Sequence, residues 1–428
     1  MSTLSESPKS ILITIVAAIA LLAVHTLFYI YQPQSHALQK TDAKDVARRI
    51  KNAVVHIGPY KTGSTTIQKH SKGLARQLLE DGYGMPFAHT FPNGTRIRSS
   101  CNQVYVAMCF FQNGQPSQLI AKKALPCHND LLEAGLDIGQ NQHHSILLSA
   151  ETFSALEEEG IKALHDYLYP TWENTIIIAY YRRYYDWIVS FHNQKSRQPF
   201  IKSWRRFQEN STDHLSLSLV NDLTYNHMLE YFRHKYVLSV IPRYKKHFSN
   251  VVVVNMHDQS MDLAERFYCE LIPHATKTCE AVRNFLSTGN TLVENKSWQD
   301  DVYLELAYAA HRKGKIHVKT KEHCRDVVDA IQAYQEKTLH LGIGDFPRRC
   351  LPEAVLENIW EDSVQAEKEF GTVVSLDNHD GLDLLDVLKD DFDKKSKFEL
   401  CEVDFDAILE TAVWREFFEK HSPDSSSS

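Results

Sequence analysis

Five short stretches dominated by apolar side chains recur along the chain. The first is Val54-Val55-His56-Ile57, which runs into Gly58-Pro59, and Tyr83 to Phe87 is a shorter second run. Ser145 to Ser149, Asn174 to Tyr180 and Asn250 to Asn255 follow. The longer runs do not alternate apolar with polar positions, as a strand with one wet face would, so each reads as a strand covered on both sides. Between them lie helical patterns. Ile67, Leu74, Leu78 and Leu79 place a helix over Ser64 to Asp81, ended by Gly82. Strands alternating with helices predict an α/β fold, a P-loop-like, doubly wound parallel sheet with helices on both faces. In such sheets ligands bind beyond the carboxyl ends of the strands. Lys61, Glu151 and Arg182 each follow a strand, so one crevice is expected to hold all three.

Both ends of the chain depart from this pattern. Ile11 to Ile30 contains no Asp, Glu, Lys or Arg and is about as long as a helix needs to be to cross a bilayer. With Tyr29 and Tyr31 as interfacial anchors, residues 11–31 are expected to form one N-terminal transmembrane helix behind a short tail at 1–10. A signal peptide has a shorter apolar core, and no small-x-small site follows this one. Residues 32–51 are polar and read as a stem, with the α/β domain at 52–290. Beyond Phe285 the pattern is helical at Trp298 to Arg312, His323 to Thr338, Pro352 to Phe370 and Phe405 to Lys420. Residues 291–420 are therefore expected to be a helical C-terminal part of the same unit, and 421–428 a disordered, Ser-rich tail. Asp377, Asp380, Asp383 and Asp386 would line one solvent-facing helix face, lacking the glycine and ligand spacing of a calcium loop.

Composition narrows the compartment and the partners. The 428 residues carry a formal net charge of −7, which argues against a general nucleic-acid partner. All eight cysteines lie beyond the apolar run and none shows Cys-x-x-Cys spacing. That suits disulfides in an oxidising compartment, with buried thiols as the alternative. Asn93, Asn210 and Asn295 open Asn-x-Ser/Thr acceptor sites. These marks place the body in the secretory lumen and the N-terminus in the cytoplasm. The positive-inside count points the other way, with Lys9 on one side and Lys40, Lys44, Arg48 and Arg49 on the other.

The candidate chemistry begins at Gly58-Pro59-Tyr60-Lys61-Thr62-Gly63-Ser64-Thr65-Thr66. A strand, a Gly/Pro turn with one Lys, and a helix start make a phosphate cradle in which backbone N–H groups and the helix dipole converge on an anion. This is not the Walker pattern, because the Lys precedes Gly63 and Ser64 follows it. A second element ends the strand at Tyr180. Arg182 follows it, and Ser190 lies eight residues on, inside a helix. The planar guanidinium and a short hydroxyl suit one phosphate. From Arg182 to Arg206 basic residues gather around Trp187, Phe200 and Trp204, which reads either as a surface for an anionic glycan or as a solvated helix face. Arg243, Lys245 and Lys246 repeat the ambiguity on a smaller scale.

Taken together, His56-Ile57-Gly58 with Lys61-Thr62-Gly63, the strand ending in Ser149-Ala150-Glu151, and the Arg182-Arg183 strand-to-helix segment resemble the membrane-bound (Golgi-type) and bacterial carbohydrate sulfotransferases that use 3′-phosphoadenosine 5′-phosphosulfate (PAPS). The resemblance covers Val54 to Phe285. The family's proline after the first arginine and its second arginine are replaced here by Arg183 and Trp187. The resemblance implies sulfuryl transfer from PAPS to a carbohydrate hydroxyl, with an anionic glycan as one such acceptor and no metal. It implies Lys61 at the phosphosulfate, donors from Thr62, Gly63, Ser64, Thr65 and Thr66, and Arg182 with Ser190 at the 3′-phosphate. Three residues compete for general base: Glu151, His89 beyond the second strand, and Glu80, whose place at a helix end reads better as surface. A P-loop kinase or NTPase, or a glycan-binding relative without turnover, are the alternative classes. The sequence leaves the oligomeric state open.

Overall fold

The structure is a computed structural model that describes residues 51–85, 107, 145–172, 174–197, 218–225, 228–258, 260–289, 302–371 and 384–421. All of them belong to one compact unit, Ile50–Ser428. The predicted span at 11–31, residues 32–50 of the stem, Asn93, Asn210, Asn295, His89, three of the four spaced aspartates (Asp377, Asp380 and Asp383) and the last seven residues lie outside them. Among the described residues no helix is long and apolar enough to cross a membrane.

Five parallel strands form the central sheet in the order β2-β3-β1-β4-β5. They are β1 (Asn52–Gly58), β2 (Tyr83–Gly84), β3 (Ser145–Ser149), β4 (Asn174–Tyr181) and β5 (Val251–Asn255). Val55 of β1 faces Leu148 on one side and Ile177 on the other, so the most apolar strands are the central ones. Residues two apart share a face. Ala53, Val55 and Ile57 join one core with Ile146, Leu148, Ile177, Ala179 and Tyr181. Val54, Leu147, Ile176, Ile178 and Tyr180 join a second core on the opposite face. This is the two-sided burial that the unbroken apolar runs demand.

Helices flank both faces. Against the second core lie α1 (Ser64–Gly73) and α2 (Ala75–Glu80) through Ile67 and Leu78. The expected single helix over Ser64 to Asp81 is therefore two, parted at Leu74, where the backbone leaves helical geometry (φ −95°, ψ 10°). Against the first core lie α3 (Glu158–Leu168) and α4 (Tyr184–His192). The α4 helix runs into a π-helical turn at Asn193–Arg197. Helices α5 (Leu219–Thr224), α6 (Met228–Lys235) and α7 (Val237–Lys245) complete that side. After β5, α8 (Leu263–Arg266) and α9 (Thr276–Ser287) return to the second core.

The helical C-terminal segments divide between two cores. Helices α10 (Val302–Arg312) and α11 (Lys321–Ala333) build a separate apolar cluster with α14 (Phe405–Glu410) and α15 (Ala412–His421). Thr411 splits the predicted helix over Phe405 to Lys420. In contrast, α12 (Glu353–Phe370) and α13 (Leu384–Ser396) place Ile359, Ala366, Phe370, Leu388 and Phe392 in the sheet's first core. Strands β6 (Arg348–Cys350) and β7 (Cys401–Val403) pair antiparallel across the Cys350–Cys401 disulfide, and a second disulfide joins Cys269 to Cys279.

Candidate functional site

The turn after β1 adopts backbone conformations that side chains resist. Gly58 has φ +89°, and a Cβ there would sit 3.2 Å from the Glu151 Cα, so the ends of β1 and β3 meet backbone to backbone. Gly63 caps α1 at φ +78°, where a Cβ would meet the Leu263 side chain at 2.4 Å. Lys61 holds the left-handed region (φ 63°) without being glycine, a conformation the surroundings must maintain. Two bonds do so. Thr62 Oγ1 donates to the Pro59 carbonyl at 2.5 Å, and Trp187 Nε1 donates to the Tyr60 carbonyl at 2.7 Å. The Thr62 hydroxyl, expected to face an anion, is thus committed within the loop. No side chain caps the N-terminus of α1, and Ser64 Oγ is buried with no partner among the described residues. The first amides of α1 and this hydroxyl are the donors the turn offers.

Arg182 and Ser190 are brought together as the resemblance implies. Arg182 Nη1 donates to Ser190 Oγ at 2.9 Å and lies 3.5 Å from the Lys61 carbonyl oxygen, so the strand-end arginine touches the turn itself. Tyr236 fixes the backbone below by donating its hydroxyl to the Arg182 carbonyl at 2.7 Å. The two family departures have structural partners. Trp187 stacks on Phe191 with centroids 4.6 Å apart while its indole N–H holds the turn. Arg183 points away, bonding Asp391 at 3.0 Å and lying 3.8 Å from Glu367. Its backbone N–H donates to His257 Nε2 at 3.0 Å, so that imidazole is neutral. Burial and the charges of Arg183, Arg182 and Lys395 hold the His257 pKa down at about 3.

Glu151 opens the helical turn after β3 and has a perturbed carboxyl. Burial raises its pKa, against the opposing pull of Gln194, Lys61 and Lys195. Gln194 Nε2 lies 3.5 Å from Glu151 Oε2, and the Gln194 Oε1 is buried with no partner among the described residues. The neighbouring Lys195 ammonium sits 3.9 Å above the Tyr60 ring. Burial, Glu151 and Tyr231 together push the Tyr60 hydroxyl up to about 12. One cluster therefore contains Tyr60, Lys61, Glu151, Gln194 and Lys195. A base, two cations and the loop that would cradle an anion are all within electrostatic reach.

Other sequence candidates fall elsewhere. Glu80 is bonded to Arg76 at 3.0 Å and to Lys277 at 3.3 Å on the helical surface, as its position suggested. His89 is outside the described residues. The smaller basic cluster is internally paired, with Arg243 on Glu157 at 3.0 Å and Lys246 on Glu158 at 2.7 Å. Gln194 went unnoticed in the sequence, and Lys195 stood out only as one charge in a basic run. Both sit on the π-helical turn at Asn193–Arg197, whose extra residue no apolar spacing announces.

No protein-family model matches the chain, and no curated protein matches it.

Proposed function

We propose that this chain is a sulfotransferase moving a sulfuryl group from PAPS to a hydroxyl of a carbohydrate acceptor, in the Golgi lumen behind an N-terminal membrane anchor. The observation that carries the reading is the contact of the two motif halves, with Arg182 bonded to Ser190 and reaching the Lys61 carbonyl. PAPS has two anionic ends, a 3′-phosphate and a 5′-phosphosulfate, and the site offers two donor sets. Arg182 and Ser190 suit the first. The N-terminal amides of α1, the Ser64 hydroxyl that has no partner among the described residues, and Lys61 suit the second. The two disulfides fit an oxidising lumen. The P-loop-like, doubly wound architecture belongs to the same reading.

The chemistry assigned to these residues is an in-line displacement. The acceptor oxygen bonds to sulfur as the bond from sulfur to the bridging oxygen breaks, leaving 3′-phosphoadenosine 5′-phosphate. Lys61 stabilises the charge that grows on the departing phosphate. Glu151 receives the acceptor proton, a task suited to a carboxylate whose pKa burial has raised. Thr65 and Thr66 extend the phosphosulfate cradle through their amides. The test is incubation of the full chain with radiolabelled PAPS, or with radiolabelled ATP, against a panel of glycans and tyrosine peptides. Sulfated glycan supports the reading. Label arriving from ATP would make the chain a phosphotransferase, sulfated tyrosine would move the acceptor to protein, and nucleotide binding without transfer would leave a binding protein.

A further inference from the structure

Lys195 is the cation of this site to which the reaction above gives no task. It lies five residues past Ser190 on the π-helical turn Asn193–Arg197. The turn is anchored by Arg197, whose guanidinium pairs with both oxygens of Glu305 on α10. Lys195 Nζ lies 3.9 Å from the Tyr60 ring centroid and 5.8 Å from that of Phe191, and it forms no ion pair with a described carboxylate. A ring face compensates only part of what an ammonium loses on leaving water. Burial accordingly lowers its pKa, with Glu151 opposing and Lys235 adding to the effect. Lys235 itself pairs with Glu157 at 3.4 Å.

The surroundings of that ammonium have the composition of a sugar site. Tyr60, Phe191 and Tyr231 form a run of rings, with centroids 5.7 Å and 6.3 Å apart, and Tyr231 leaves 42% of its surface in solvent. Phe191 is fully buried, so the rings left to pack on the apolar face of a pyranose are that of Tyr231 and, in part, that of Tyr60. Beside them the buried Gln194 Oε1 accepts nothing from the described residues and is an acceptor to which a sugar hydroxyl would donate. Among the described residues Glu151 is the one carboxylate acting on Lys195, while Lys61 and Lys195 both act on Glu151 and Lys235 acts on Lys195. An anion arriving here meets the Lys61, Lys195 and Lys235 ammonium groups against Glu151 and the Glu157 that already pairs with Lys235, so the local field still favours it.

We infer that Lys195 and the rings of Tyr60 and Tyr231 form the acceptor subsite, and that it selects a sugar carrying an anionic group next to the hydroxyl to be sulfated. The inference rests on the sulfotransferase reading for the identity of the reaction. The anion is a uronate carboxylate or a sulfate already on the chain, and either would give the Lys195 ammonium the ion-pair partner it lacks among the described residues.

Calorimetry on the full chain, with 3′-phosphoadenosine 5′-phosphate present, tests the subsite without requiring turnover. Three hexasaccharides serve as probes: unsulfated glucuronate–N-acetylglucosamine, sulfated galactose–N-acetylglucosamine, and the same galactose chain without sulfate. The wild type should bind at least one charged probe about tenfold or more tighter than the neutral one. Lys195→Met, which keeps an apolar stem against Tyr60, should reduce that ratio about tenfold, and Lys195→Arg should retain it. Preference for the glucuronate probe alone assigns the subsite to carboxylates, and for the sulfated galactose probe alone to sulfates. Equal binding of all three probes by the wild type, or equal loss on all three in Lys195→Met, would overturn the inference. Where Lys195→Met does not fold, raising salt on the wild type decides. Charged-probe preference must fade with ionic strength, and a salt-independent preference overturns the inference. Absence of nucleotide binding, by contrast, counts against the sulfotransferase reading, while the saccharide titrations still report on Lys195.

Discussion

Arg182 Nη1 donates to Ser190 Oγ across 2.9 Å, one side chain from the end of β4 and the other from the second turn of α4. In the proposed reaction both serve one phosphate. Arg182→Ala should therefore weaken 3′-phosphoadenosine 5′-phosphate much more than adenosine 5′-phosphosulfate, which lacks the 3′-phosphate. A hydrogen bond to a charged group contributes roughly 1.5–3 kcal/mol, so the selective loss should be about tenfold or greater by calorimetry. Equal losses for both ligands would remove Arg182 from that position.

Lys61 separates a catalytic from a binding role. Charge on the bridging oxygen grows only as the sulfur–oxygen bond breaks, so Lys61→Ala should lower kcat by about 10²–10³ in a folded protein. A rise in the KM for PAPS with kcat unchanged would instead make Lys61 a ground-state anchor. Steady-state kinetics with PAPS varied at saturating acceptor makes the distinction.

Glu151 gives two pH-dependent expectations of opposite sense. As a base it must be ionised, so kcat/KM for acceptor should rise with pH through a value above the ordinary carboxylate range, and Glu151→Gln should abolish that limb. For stability, the raised folded pKa means that the buried group favours folding in its protonated form. That contribution is full below the unfolded carboxyl value and is lost as pH rises through the folded one. Near neutrality Glu151→Gln should consequently raise Tm while activity falls, and its thermal advantage should shrink as the pH is lowered. A variant that is less stable than wild type at neutral pH would contradict the raised pKa.

Trp187→Phe tests the clamp on the turn. The substitution retains a ring against Phe191 but removes the N–H that donates to the Tyr60 carbonyl. With a net hydrogen bond contributing about 0.5–1.5 kcal/mol, nucleotide affinity should fall by roughly twofold to tenfold, because the left-handed Lys61 backbone loses one of its supports. Unchanged affinity would show that the Trp187 bond is not needed to hold the turn.

What could be read in advance was local. The strands β1, β3, β4 and β5 announce themselves because two-sided burial requires unbroken apolar runs, whereas the Arg182–Ser190 pair is legible only through its resemblance to the sulfotransferase 3′-phosphate site. Glu151 could be placed at a strand end, but the burial that raises its pKa comes from elements far away in sequence. The Arg183 partner is further off still, at Asp391, 208 residues along the chain. The Cys350–Cys401 pairing depends on the β6–β7 register. The break at Leu74 interrupts a pattern that is helical on both sides.

The bonds behind Arg182 decide where this chain can be divided. Tyr181 donates its hydroxyl to Glu367 at 2.5 Å, Arg183 and Tyr185 both reach Asp391, and Lys395 bonds Asp186 at 2.7 Å. Four residues around the bend from β4 into α4 thus find their polar partners on α12 and α13. A cut near residue 290, where strands give way to helices in the sequence, would leave the Arg183 cation and the Asp186 carboxylate in the wall of the sheet without counter-charges, and would strip Phe370 and Leu388 from its core. The shortest self-sufficient fragment must therefore extend past Lys395, and a protease nicking the chain before α12 should loosen the bend from β4 into α4 as well as the helices.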